Sequence, residues 1–121
     1  MSDNPKKIVI ADDNVELCDI LKEILEREGY NVDVVHEGFS LVSYLKEVQD
    51  VDAIVLDLMM PDKGGITVIN TVRSISPASK LIIYTGYTNY RHSVFGREAD
   101  AFVNKAENPK KLLEILEDLL K

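Results

Sequence analysis

Five side chains able to ligate, donate or accept charge each follow directly on a short apolar run. Asp12 and Asp13 come after KIVIA, Asp57 after AIVL, Thr85 after LIIY, and Lys105, with Asn104, after AFV. Asp57 stands within VLDLMMPDKGG, where a carboxylate at the edge of a hydrophobic run is costly unless something pairs with it. Gathered at one place, the three carboxylates repel, since two unit charges about 4 Å apart interact by roughly 4 kcal/mol at the effective dielectric of a protein surface. A cation must then sit among them. Lys105 supplies one, and an oxygen-only donor set with no Cys or His beside it suits a hard divalent ion. A shell left open to water and to a phosphoryl oxygen suits Mg²⁺ best. One Asp at a strand end is ordinarily a helix cap or turn former, but acids, hydroxyl and amine ending four separate strands point to a shared site. Met59 and Met60 read from chemistry alone as core or loop filler, and Pro61 and Gly65 as turn punctuation.

The elements that must bring these residues together alternate in period. Lys7 to Ala11 reads as a strand, and Val15 to Glu28, with Leu17, Ile20, Leu21, Ile24 and Leu25 at helical spacing, as a helix. The pattern recurs as VDVV (Val32 to Val35) with Phe39 to Val48, and as AIVL (Ala53 to Leu56) with Ile66 to Ile75. It continues as LIIY (Leu81 to Tyr84) with Asn89 to Gly96, and as AFV (Ala101 to Val103) with Pro109 to Leu120. Pro109 suits a first helical turn, and Leu112, Leu113, Ile115, Leu116, Leu119 and Leu120 give the last helix its apolar stripe. Five βα units with near-continuous apolar strands predict a doubly wound α/β fold, a five-stranded parallel sheet covered on both faces. Ligands in such sheets sit beyond the carboxyl ends of the strands, where the five polar residues fall.

With 121 residues and 45% hydrophobic content, one domain over residues 1–121 is expected, with 1–6 a loose N-terminus. Cys18, the single cysteine, excludes an internal disulfide and a cysteine-built zinc site. No apolar stretch reaches the roughly 18 residues of a membrane span, and no basic-then-apolar leader opens the chain, so a cytoplasmic protein without a membrane partner is expected. A formal charge of −7 argues against direct nucleic-acid binding, which needs a basic face.

The quoted residues resemble the receiver domain of two-component response regulators from Lys7 to Leu120. IADDN matches the acidic pair, VLDLMMPDKGG the phosphoacceptor segment, IIYTGY the switch threonine, and AFVNKA the aromatic residue and lysine. The resemblance implies a flavodoxin-like strand order 2-1-3-4-5. It makes Asp57 the residue phosphorylated by a histidine kinase or phosphotransfer domain. Asp13, Asp57 and the backbone carbonyl of Met59 would bind Mg²⁺, with Asp12 reaching the metal through water. Lys105 would pair with a phosphoryl oxygen, Thr85 would close its hydroxyl onto another, and Phe102 would turn inward behind it. The switched surface is the fourth helix, fifth strand and fifth helix, open to a downstream effector, an output domain or a homodimer partner. The chain is then no enzyme but a phosphoacceptor that assists its own phosphorylation and dephosphorylation.

Three positions depart from the family pattern: Ala106 follows the lysine in place of proline, Glu98 stands near a glycine position, and the switch aromatic is Phe102 rather than tyrosine. All three bear on signal output more than on phosphorylation. Val15 and Cys18, off the main stripe of the first helix, either meet a four-helix kinase or phosphotransfer domain or are peripheral core residues, Cys18 as a small apolar filler. Tyr87, Tyr90, Val94 and Phe95 could form an apolar patch for an effector, whereas His92 reads as a solvated helix residue. Two alternatives fit less well. An aspartate-nucleophile phosphohydrolase places a second Asp two residues after the nucleophile, where this chain has Met59. A flavodoxin-like flavin carrier offers hydroxyls and amides after its first strand, where Asp12 and Asp13 would repel a phosphate.

Overall fold

The runs rich in Ile, Val and Leu pair into a single parallel sheet of order β2-β1-β3-β4-β5. Its strands are β1 (Lys7–Ala11), β2 (Asn31–Val35), β3 (Ala53–Leu56), β4 (Lys80–Thr85) and β5 (Ala101–Asn104). The helices among the described residues are α1 (Val15–Arg27), α2 (Gly38–Glu47), α3 (Gly64–Ile75) and the C-terminal α4 (Pro109–Leu119). The computed structural model describes residues 5–58, 60, 64–86 and 99–121. The helix expected over 89–96, its neighbours Tyr87 and Glu98, and Met59 lie outside the described residues.

Strand alternation sorts the core into two layers. Ile8 and Ile10 of β1 pack with Cys18, Leu21 and Leu25 of α1 and with Leu112 and Leu116 of α4. Val9 and Ala11 face the other way, toward Leu41 and Leu45 of α2 and Val68, Ile69 and Val72 of α3. β3, central in the sheet, is buried at all of its positions. Each fully buried Leu or Ile contributes on the order of 1.5–3 kcal/mol, so the middle of the sheet is a rigid platform for whatever stands at its edge.

Local chemistry sets the helix ends. Asn14 caps α1, its Oδ1 accepting from the Leu17 amide at 3.1 Å. Gly29, at φ 96°, ends the helix in the left-handed region, letting the Tyr30 amide return to the Leu25 carbonyl at 3.2 Å. Asn108 caps α4 with Pro109 in the first turn. The α1 stripe differs from expectation. Ile20 is 52% exposed, whereas Cys18 is fully buried. Residues 18, 21 and 25 share one face at about 100° per residue, and Ile20 is rotated some 200° from Cys18.

At the amino end of the sheet, Asp100 ties three elements together. Its Oδ2 accepts from the Leu81 amide at 2.7 Å and from Arg73 Nη2 at 2.9 Å, and Arg73 Nη1 donates to the Ser79 carbonyl at 2.9 Å. Burial pushes the Asp100 carboxyl up, but these donors outweigh it and hold the group below its ordinary value. Asp50, in the turn before β3, has φ 65°, a left-handed conformation disfavoured for a residue with a Cβ.

Candidate functional site

The sheet ladder runs one residue past the carboxyl ends of its strands and so positions the polar residues there. The Asp12 amide donates to the Val35 carbonyl at 3.1 Å, the Asp57 amide to Ala11 at 3.0 Å, and the Lys105 amide to Thr85 at 3.0 Å. Asp12 is thereby tied to β2, Asp57 to β1 and Lys105 to β4. Lys105 Nζ lies 2.6 Å from Asp12 Oδ2 and 2.9 Å from Asp57 Oδ2, bridging the two carboxylates. Asp12 Oδ1 accepts from the Asn14 amide at 2.9 Å. Asp12 and Asp57 are only 2% and 5% exposed, whereas Asp13 is exposed.

Burial raises the Asp12 carboxyl above its ordinary value, with the Asp57 charge adding to the rise and the Lys105 and Asn14 donors opposing it. For Lys105 burial works against the charge. Its hydrogen bonds to Asp12 and Asp57 prevail and hold the ammonium above the usual lysine range. The lysine is thus fixed in its charged form between acids that need it.

Oxygen atoms of Asp12, Asp13 and Asp57 lie within 4.8 Å of one another. Two partly desolvated carboxylates and one open to solvent, with no sulfur or imidazole in the cluster, match the hard-oxygen, water-retaining demand of Mg²⁺. Thr85 is fully buried at the end of β4, on the sheet face of Leu81 and Ile83, and Phe102 packs against that same cluster from β5. Threonine and aromatic residue therefore share one face.

Ala106 does not displace Lys105. No described peptide bond is cis, and the loop is held by Asn104, whose Oδ1 accepts from the Ala106 amide at 2.9 Å. Of the two readings of Cys18, partner contact or apolar core filler, the structure shows the second: the residue is wholly buried, with burial pushing its thiol up to about 12. Val15 remains exposed. Tyr90, His92, Val94 and Phe95 lie outside the described residues.

One residue at this edge carries no acidic or motif signature. His36, directly after β2, places Nδ1 2.9 Å from the Asp12 carbonyl oxygen. The rule that strand-end residues collect at one edge, applied to β2 as to the other strands, would have found it.

The response regulator receiver domain family matches residues 8–117. This chain belongs to that family. The receiver is 34% identical over 117 residues to the transcriptional regulatory protein CpxR of Escherichia coli K12, covering 95% of this chain and 49% of CpxR. It spans about half the length of the curated relatives it matches. Among solved structures, the response regulator TrrA of Thermotoga maritima in complex with Mg²⁺ and BeF superposes with TM-score 0.88 at 31% identity, over 95% of this receiver and 99% of TrrA. The same regulator in complex with the histidine kinase ThkA superposes with TM-score 0.86, over 96% of this receiver and 99% of that chain. Membership of this signalling family displaces the phosphohydrolase and flavin-carrier readings, and the receiver shows the 2-1-3-4-5 parallel order.

Proposed function

We propose that this receiver accepts a phosphoryl group on Asp57 in a Mg²⁺-dependent reaction. The observation that carries the reading is the position of Asp57, nearly buried at the end of the central strand, with Lys105 Nζ at 2.9 Å and the Asp12 and Asp13 oxygens alongside. An Asp57 oxygen attacks phosphorus on a partner's phosphohistidine; the O–P bond forms as the N–P bond breaks and the imidazole departs. A carboxylate is a poor nucleophile, so catalysis is positioning and charge neutralisation. The backbone bond from the Asp57 amide to Ala11 fixes the attacking group, and Lys105 can follow the developing charge from carboxylate to phosphoryl oxygen. Asp12, Asp13 and Asp57 would hold Mg²⁺, with the Met59 carbonyl as a further ligand from outside the described residues. A bound Mg²⁺ supplies positive charge to the transferring group.

The TrrA complexes with Mg²⁺ and BeF and with ThkA support both the metal and a histidine kinase or phosphotransfer partner. Val15, 53% exposed beside the acidic edge, belongs to the surface we assign to that partner. After transfer, the Thr85 hydroxyl turns to the phosphoryl group and Phe102 follows, altering the face of β5 and α4, with the expected fourth helix over 89–96 lying outside the described residues. That face serves an effector, an output domain or a second copy. The receiver acts in the cytoplasm as a single phosphoacceptor domain. It aids its own phosphorylation and dephosphorylation without being an enzyme toward another substrate.

Intact mass after incubation with a small phosphodonor and Mg²⁺ tests the reading. One added phosphoryl group is expected, absent in Asp57→Asn and in excess chelator. Full labelling of Asp57→Asn overturns it.

A further inference from the structure

We infer that His36 is a positioning residue for the acidic pair, holding the peptide that joins Asp12 to Asp13 so that both carboxylates face the metal position. The inference rests on the Mg²⁺ reading above. His36 Nδ1 lies 2.9 Å from the Asp12 carbonyl oxygen, and Cys18 Sγ donates to that same oxygen at 3.4 Å. A carbonyl can only accept, so Nδ1 carries the proton, in the neutral ring as in the charged one. That carbonyl belongs to the peptide unit whose nitrogen is Asp13. Its direction sets the plane from which the Asp13 side chain leaves.

The other constraints on this segment leave that plane to His36 and Cys18. The Asp12 amide is fixed by Val35 on the preceding peptide, and the Asp12 carboxylate by Asn14 and Lys105. Asp13, the exposed member of the trio, follows immediately. His36 itself is half-buried after β2, the strand beside β1, so the clamp comes from a neighbouring strand end and not from α1 alone. Cys18 Sγ lies 4.0 Å from His36 Nδ1, placing the two donors side by side under one oxygen. A thiol is a weak donor, so the imidazole carries the larger share. Groups that orient metal ligands without touching the metal typically change affinity 10- to 100-fold when removed.

Two substitutions separate positioning from packing. His36→Asn keeps an N–H donor near the place of Nδ1, and His36→Leu keeps volume without one. Mg²⁺ dissociation constants by calorimetry and amide exchange of Asp13 and Asn14 in chelator are measured for both, beside the parent. Expected are a loss of affinity of about tenfold or more in His36→Leu, retention within about threefold in His36→Asn, and faster Asp13 exchange in His36→Leu alone. A parent that binds Mg²⁺ with His36→Leu binding equally well overturns this inference and leaves the metal reading standing. Equal losses in the two variants also overturn it, because packing then explains the effect. A parent that binds no Mg²⁺ overturns the metal reading and this inference with it.

Discussion

Lys105 is the residue on which the metal-free site depends, because it is the cation the structure places on both Asp12 and Asp57. Removing one partner of a desolvated ion pair leaves the other charge uncompensated, which costs about 3–5 kcal/mol when burial is complete. Lys105 keeps 23% of its side chain exposed, so Lys105→Met should cost less, about 2–3 kcal/mol in chelator. Mg²⁺ should restore part of the loss, as urea unfolding with and without the ion will show; equal costs in both conditions would mean that lysine and metal do not serve the same charges. Asp13 behaves oppositely. It is exposed and adds repulsion with no burial to offset, so Asp13→Asn should melt at or above the parent in chelator and gain almost nothing from Mg²⁺. A loss of about 0.5–2 kcal/mol without any link to metal is what a structural cap at this position would give.

The strands and helices were legible because their apolar periods are strong, and β1 and β3 begin and end where the sequence places them. Where the other described boundaries move, they do so by a residue or two, since caps and ladder bonds, not hydrophobicity, decide the last residue. Asp57, Lys105 and the acid pair were legible for the same reason: each directly follows a strand. His36 also directly follows a strand, but a lone imidazole carries no acidic or motif signature, and the strand-end rule finds it only when extended from the other four strands to β2. The exchange of Ile20 for Cys18 in the core of α1 was missed because thiol and isoleucine both read as apolar, and only the rotation of the helix against the sheet tells them apart. At the far end of the sheet, the bonds from Asp100 to Leu81 and Arg73 predict an acid sensitivity. Its folded pKa is lowered, so the stabilisation is present above the ordinary carboxyl value near 3.8 and disappears as pH falls through the lower folded value. Asp100→Asn should therefore be less stable than the parent at pH 7, by about 1 kcal/mol after discounting for partial exposure, with the two curves converging as pH falls through the lowered folded value. Parallel curves down to the lowest pH would show that the charge of Asp100 is not what matters.

For the molecule as a whole, a net charge of −7 and an acidic edge should make a divalent ion a stabilising ligand. A ligand bound only to the folded state adds RT ln(1 + [L]/Kd), so Mg²⁺ at about ten to a hundred times its Kd should add roughly 1.4–2.7 kcal/mol and raise Tm by several degrees. Calorimetric scans in Mg²⁺, and in monovalent salt of matched ionic strength, separate binding from screening; equal shifts would leave screening alone. The bridge made by Lys105 also has a consequence in time. It joins residues 48 positions apart in sequence, from the end of β5, which among the described residues pairs with β4 alone at the edge of the sheet. During synthesis at about 5–20 residues per second, Asp57 emerges some 2–10 s before its lysine. A contact of such long range, made by an edge strand, belongs to the late side of the folding barrier, so its loss should appear in the escape rate from the native state and scarcely in the rate of reaching it. Stopped-flow chevrons of Lys105→Met should show a raised unfolding limb over an unmoved folding limb, which would make this lysine a determinant of how long each folded receiver lasts.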